Sequence, residues 1–409
     1  MVEMVREPSA RPVRVTHVAA VAMSLRFLRG QAEFMRARGF ELSAVTAPGP
    51  ELDRFGASEG RATAIDMARG FDPRVHLRSV LELAAHLRRE RPDVVHAHTA
   101  TGGLIGITAA WLAGVPVRLY HMRGLPLLAA AGPKKALLVL TERLTCRLAH
   151  EVYPVSASLR EVAVEHRLAP ASKLRVLAGG SGQGVDATRR FDPARVSAEA
   201  RGAVRERLNA GPDAVVFGFV GRVLREKGIG ELEAAWRRVR EAVPNAALLL
   251  VGGLDERDPV EPAVWRRLTD DPRVHQVGFA DDTAVFYAAM DVVVLPTYRE
   301  GFPNVPLEAA AMERPVIATR VTGCVDAVVD GETGALVPLG DVDALAEAMI
   351  GYAGDPARRA AHGAAGRARV LRSFRPEGIW EALAERYAAW TGPTARRAER
   401  ATREAATRG

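Results

Sequence analysis

Cysteine, lysine and aromatic residues are all scarce in this chain. The two cysteines, Cys146 and Cys324, stand far apart in sequence, so neither a disulfide framework nor a cysteine-rich metal cluster can be built from them. Lysine is confined to Lys134, Lys135, Lys173 and Lys227 while arginine and alanine abound, a bias of GC-rich bacterial genomes and not a mark of function. Aromatic residues make up only 6%, and no zinc-finger, RNP-type or OB-like pattern is present, which argues against nucleic acid as a partner. No apolar run reaches the roughly 18 residues from which a membrane-spanning helix is read. The segment from Met1 to Pro12 lacks the apolar core of a signal peptide, so a reducing cytoplasm is the expected compartment.

What is present is a long, well-hydrophobic chain. At 409 residues and 48% hydrophobic composition, two domains with cores of their own are expected. The net charge of +7 is uneven: residues 1–187 carry 25 Lys and Arg against 17 Asp and Glu, and the remainder is close to neutral. A basic front half predicts an acidic partner, either a phosphate-bearing acceptor or an anionic membrane surface. The apolar stretch Leu125 to Leu140, with Lys134 and Lys135 inside it and Arg143 and Arg147 after it, is read either as a helix lying on the inner face of a membrane or as a buried helix with a basic outer side.

Strand and helix patterns alternate along the chain. Val13 to Ala19, Phe40 to Thr46, Ala62 to Asp66, Asp93 to His98, Pro116 to His121, Glu151 to Val155 and Leu174 to Leu177 read as strands, with helices between, including one over Leu25 to Arg38. A glycine-rich run, Gly179 to Gly184, then breaks the rhythm. It lacks the Lys-Ser/Thr of a P-loop and the spacing of a dinucleotide fingerprint, and reads as a hinge or loop. After a polar connector the alternation restarts at Ala214. The fold class is therefore α/β, with two Rossmann-like doubly wound domains facing a central crevice. Expected boundaries are 1–185, 186–373, a helix over 374–391 that packs back on the front domain, and a frayed tail over 392–409.

Two stretches in the back half carry chemistry. Asp291 to Pro296 is an apolar run of the kind found in buried parallel strands. It is followed by Arg299-Glu300-Gly301-Phe302-Pro303-Asn304 and a helix from Pro306 to Met312. Glu300 thus falls in a loop at a strand's carboxyl end and Glu308 in the first turn of a helix, where two acids and free amides suit sugar hydroxyls and a phosphate; a solvated acid beside a helix-start acid is the plainer alternative. Gly221-Arg222 through Lys227-Gly228 also follows a strand and opens a helix. Arg222 offers a planar fork and Lys227 a point charge, the pair that grips adjacent phosphates. His96 and His98 alternate along one strand and so share a face, but no third Cys, His, Asp or Glu stands near them in the pattern, and no metal is expected there.

Taken together, Gly221-Arg222, Lys227-Gly228, the acids Glu300 and Glu308 in an E-x7-E frame, His96-Ala97-His98-Thr99, Gly102 to Gly106, Ala113 to Pro116 and Gly182 to Asp186 resemble the retaining glycosyltransferases of family 4, which have the GT-B fold. The resemblance covers nearly the whole chain and is closest to the bacterial polysaccharide-type branch. It implies that Arg222 and Lys227 hold the donor diphosphate, that Glu308 binds the ribose, and that Glu300 binds hydroxyls of the donor sugar. Gly221, Phe302, Pro303 and Asn304 line the sugar and phosphate, and the loop at Gly278 meets the base. It implies no cofactor and no metal: the nucleotide-sugar, UDP-linked in this branch, is a co-substrate, and the acceptor is a glycan, a lipid-linked sugar or a small molecule. Catalysis with retention would run at the front face, with Glu300 positioning the sugar; Glu300 as a covalent nucleophile is the alternative.

The chain departs from this family twice. Where relatives carry a glycine-rich loop after the first strand, it has Ala19 to Ser24, which makes Ser24 and Arg26 candidates for contacts there. Where relatives carry a His-Gly pair, it has His121-Met122-Arg123-Gly124, so His121 and Arg123 are both candidates for the histidine's role, with His98 on the acceptor side. Other functions compatible with the motifs are glycosyl tailoring of a secondary metabolite, or UDP-sugar epimerisation on a similar architecture.

Overall fold

The structure, a computed structural model, describes residues 11–67 and 72–392. The chain forms two compact units. Of the described residues, one holds those up to Val155, Arg160–Leu177 and those from Ile379 onward; the other holds Ser156–Leu159 and Ala178–Gly378. The tail beyond Gly392 lies outside the described residues.

The first unit is built on six parallel strands: β1 (Val13–Ala19), β2 (Phe40–Thr46), β3 (Arg61–Ala64), β4 (Val94–His98), β5 (Val117–Met122) and β6 (Glu151–Pro154), in spatial order β3-β2-β1-β4-β5-β6. β4 and β6 are buried at every residue, as expected of strands covered on both faces. Helix Pro73–Glu90 begins where Asp72 accepts hydrogen bonds from the Arg74 and Val75 amides and Pro73 fills the first position. It packs beside helix Ala100–Leu112, whose small residues let it lie close against the sheet.

The second unit repeats the plan with β7 (Val215–Val220), β8 (Ala246–Val251), β9 (Val274–Gly278), β10 (Val292–Leu295), β11 (Val316–Thr319) and β12 (Gly334–Val337), ordered β12-β11-β10-β7-β8-β9. Counted within each unit, both sheets follow the doubly wound order 3-2-1-4-5-6.

Four expectations need correction. The helix expected over Leu25 to Arg38 is a 3₁₀ helix, Ala22–Leu28, followed by helix Gln31–Arg36, because Gly30 takes φ 77° and turns the chain between them. Leu174 to Leu177 is not a strand; Leu174 makes only one bridge, to Val152. The polar connector before β7 contains helix Ala198–Arg207, capped by the Ser197 hydroxyl. The glycine-rich run belongs to the second unit, not to the end of the first, because the Val185 amide donates to Phe374 O (2.8 Å).

The last helix, Pro376–Thr391, docks in the first unit from Ile379 on, burying Ile379, Leu383 and Tyr387. Glu151 at the start of β6 fixes it. This carboxylate accepts from Trp390 Nε1 (3.0 Å), Arg386 Nη2 (2.9 Å), Arg175 Nε (2.8 Å) and the Tyr153 hydroxyl (2.9 Å). Burial pushes the Glu151 carboxyl up, but the hydrogen bonds from Trp390, Arg175, Tyr153 and Arg386 outweigh it and hold it below the usual carboxylate range. Glu151→Gln should therefore destabilise the first unit by about 2 kcal/mol and speed amide exchange in the last helix, as read by urea unfolding and hydrogen exchange.

Candidate functional site

In a sheet of this order the connections leave in opposite directions from the first and fourth strands, so a crevice opens at their carboxyl ends. In the second unit these strands are β7 and β10, paired through Val292 and Phe217. β7 runs into Gly221 and Arg222, then a 3₁₀ turn over Arg225–Lys227, then helix Ile229–Ala242. β10 runs through Pro296 to Glu300 and then into helix Asn304–Ala311, which starts two residues before the expected Pro306, with Pro303 as its cap.

The two loops touch. Lys227 Nζ is ion-paired with Glu300 Oε1, both side chains being largely shielded. Gly228 sits at φ 74°, and a Cβ there would lie 2.0 Å from Pro296 O, so only glycine allows this approach. Arg299 pairs with Glu226 (2.7 Å), and the Tyr298 amide donates to Glu226 O (2.9 Å), holding the loops in register. Arg222 turns to Asp255 in the loop after β8, with Nη1 2.5 Å from Oδ2. Asp255 also accepts from Arg257 Nε (2.8 Å), and the hydrogen bonds from Arg257 and then Arg222 hold its carboxyl well below the usual range.

Glu308 lies half-buried on helix Asn304–Ala311 and accepts from the Tyr287 hydroxyl (2.9 Å). Burial raises its pKa, against the Tyr287 hydrogen bond and the Arg190 charge. Phe302 packs on the Phe374 ring (5.5 Å between centroids), buried Pro303 caps the helix, and Asn304 is its first residue. Gly301 O accepts from the Ser156 hydroxyl (2.7 Å). Gly221 donates its amide to Val251 O, and Gly278 O receives the Gly252 amide, with exposed Phe279 next in the chain. Lys227 and Glu300 are thus joined directly, whereas Arg222 and Glu308 are joined to Asp255 and Tyr287. Neither of these two partners was singled out from sequence; Asp255 had a signal, since it follows β8 as Arg222 follows β7.

In the first unit the corresponding strands are β1 and β4, and four buried histidines gather at their carboxyl ends. Parallel register sets His17 of β1 beside His96 of β4, and His98 of β4 beside His121 of β5. His17 Nδ1 lies 2.9 Å from His98 Nε2, His96 Nδ1 lies 2.6 Å from the Tyr387 hydroxyl, and Arg123 Nε donates to His98 Nδ1 (3.3 Å) while its guanidinium covers the Phe27 ring. His17 supplies the third ligand expected to be missing: nitrogens of His17, His96 and His98 lie within 4.8 Å of one another. The hydrogen bonds order the tautomers in series. With Arg123 donating to Nδ1, His98 carries its proton on Nε2 and gives it to His17 Nδ1. Arg26 is committed to Glu51 (2.6 Å), and Ser24 sits half-buried in the first 3₁₀ helix.

Burial lowers the pKa of all four histidines, to about 3 for His17 and well below the usual range for His96, His98 and His121; Arg123 adds to each, and is itself pushed down to about 9 by burial. The unfolded chain, with imidazoles near 6.5, therefore binds more protons than the folded one below that pH. Stability is fully present above about pH 6.5 and should fall as the pH drops toward 5, by about 1.4 kcal/mol per pH unit for each histidine kept neutral. Urea unfolding of the first unit across this range checks it; a flat profile would mean that the folded cluster takes up protons.

Comparison with known proteins adds to this geometry. Residues 214–355 match the family described as glycosyl transferases group 1, and residues 25–180 match the glycosyl transferase 4-like domain. The capsular polysaccharide biosynthesis glycosyltransferase CapM of Staphylococcus aureus is 34% identical over 374 residues, which span 91% of this chain and 96% of CapM. Among solved structures, Anabaena HepE in complex with UDP and glucose superposes with a TM-score of 0.77 at 20% identity, over 92% of this chain and all of HepE. A glycosyltransferase of Rickettsia africae superposes with the same score at 18% identity, over 94% of this chain and all of its own. The twin parallel sheets are those of the GT-B fold. The chain belongs to the group 1, or family 4, glycosyltransferases, and is a hexosyltransferase of the type that builds bacterial polysaccharides.

Proposed function

We propose that the protein transfers a hexose or N-acetylhexosamine from a UDP-sugar to a hydroxyl of a glycan or lipid-linked sugar, with retention at the anomeric carbon and without a metal. The observation that carries this is the meeting of Lys227 and Glu300 from the loops after β7 and β10, with Arg222 beside them in the chain and Glu308 on the following helix. HepE, of the same fold, was solved with UDP and glucose, which supports the choice of nucleotide.

In this reading Arg222 and Lys227 neutralise the leaving diphosphate, the role a metal would otherwise fill. The amides opening helix Asn304–Ala311 add partial positive charge. Glu308, held by Tyr287, accepts from the ribose hydroxyls, and Glu300 orients the sugar. As the anomeric C–O bond breaks, the departing phosphate oxygen takes the acceptor's proton and the acceptor oxygen bonds on the same face. His98, His121 and Arg123 stand at the strand ends of the acceptor-side unit. Lys227→Ala and Glu308→Ala should each cut transfer by about 100-fold or more, with unchanged circular dichroism. Near-normal turnover in either would refute these assignments.

We also propose contact with anionic lipid, which would place the enzyme at the inner face of the membrane. Among the described residues no helix is long and apolar enough to cross a bilayer. Helix Gly132–Leu148, however, exposes Leu137, Leu140 and Leu144 along with the basic residues Lys134, Arg143 and Arg147, with Lys135 half-buried beside them. Such a face suits an anionic surface. Sedimentation with phosphatidylglycerol vesicles should exceed that with phosphatidylcholine, and Leu140→Glu should reduce it; equal binding to both lipids would count against the contact.

A further inference from the structure

Both cations assigned to the diphosphate are held by carboxylates of the protein itself. Lys227 is paired with Glu300, and Arg222 with Asp255. The second pair is lopsided. The Asp255 side chain is 10% exposed and fixed from several sides, whereas that of Arg222 is 59% exposed and bound through one nitrogen. Arg257, two residues on, clasps Asp255 through Nε (2.8 Å), Nη2 (2.5 Å) and its own amide (3.2 Å). The backbone also anchors the acid, since the Asp255 amide donates to Val223 O (3.1 Å) and the Val223 amide to Gly253 O (2.8 Å). Asp258 continues the clasp, accepting from the Glu226 amide (2.8 Å) and Arg225 Nε (2.9 Å).

We propose that Asp255 is a stand-in for the donor's phosphate, resting on the nucleotide-sugar reading above. It parks the Arg222 guanidinium until a nucleoside diphosphate arrives. The diphosphate then takes Arg222 from Asp255 and Lys227 from Glu300, and Glu300 is freed toward the sugar. Arg257 makes the exchange cheap, because Asp255 keeps a cationic partner after Arg222 leaves and no bare carboxylate remains. Asp255 and Arg257 are therefore positioning residues that set donor affinity through Arg222, in opposite directions. Without Asp255, Arg222 is released; without Arg257, Asp255 grips it harder.

Isothermal titration with UDP and with GDP, on the full chain at fixed salt, tests this. Asp255→Asn should tighten nucleotide binding by about two- to fivefold, the scale of an exposed ion pair. Arg257→Gln should weaken it by a similar factor, and in the Asp255→Asn background Arg257→Gln should have no effect. A merely structural role would weaken binding in both single variants. If Asp255→Asn leaves affinity unchanged or lowers it, or if Arg257→Gln acts equally in both backgrounds, the proposal is overturned. Should Asp255→Asn fail to fold, Asp255→Ser takes its place in both comparisons, with the same tightening expected. A wild type that binds neither nucleotide overturns the donor reading and this inference together; a wild type that binds, with variants moving the wrong way, overturns this inference alone.

Discussion

In each of the two parallel sheets the connections depart to opposite sides from the first and fourth strands, and everything functional hangs on that reversal. Elsewhere along a doubly wound sheet, each strand's carboxyl end is covered by the loop that carries the chain to its neighbour. At the reversal no loop crosses, and two strand ends present their following residues to the same space. In the second unit these are β7 and β10, followed by the Arg222–Lys227 loop and the Glu300 loop. In the first they are β1 and β4, which carry His17, His96 and His98.

The same geometry is filled with opposite electrostatics. The second unit gathers full charges in pairs: Lys227 with Glu300, Arg222 with Asp255 and Asp255 with Arg257, and Arg299 with Glu226. Within them the Lys227–Glu300 pair is largely shielded, whereas the side chains of Arg222 and Arg257 stand mostly exposed. The first unit gathers imidazoles that burial keeps neutral, ordered by hydrogen bonds from Arg123 and with Tyr387. Tyr387 arrives on the last helix, which the Glu151 cluster holds in the first unit. Helix Pro376–Thr391 thereby reaches the first sheet's histidines.

The alternation of apolar runs with helical patterns was legible because the strands are buried on both faces: Asp291 to Pro296 needed no context to read as a strand. Helices with weak apolar periodicity, such as Ala198–Arg207, and the break at Gly30, were not, because capping and a single left-handed residue decide them locally. Lys227 and Glu300 were legible as residues of neighbouring strand-end loops from their places after strands. Tyr287 was not, because it matters only through the side chain it meets, and Asp255 showed only its place after β8.

By itself the sequence determined two α/β halves and the family, and it placed Arg222, Lys227, Glu300 and Glu308 after the strands β7 and β10, since strand ends and glycine-bounded loops are written in local pattern. Only the tertiary structure decided which of them touch. It put His17 of β1 against His98 of β4, eighty-one residues apart, and Tyr387 against His96 across 291 residues. Parallel strands that are neighbours in space are separated by whole helices in the chain, so sheet order, and not spacing along the sequence, chooses each residue's partner.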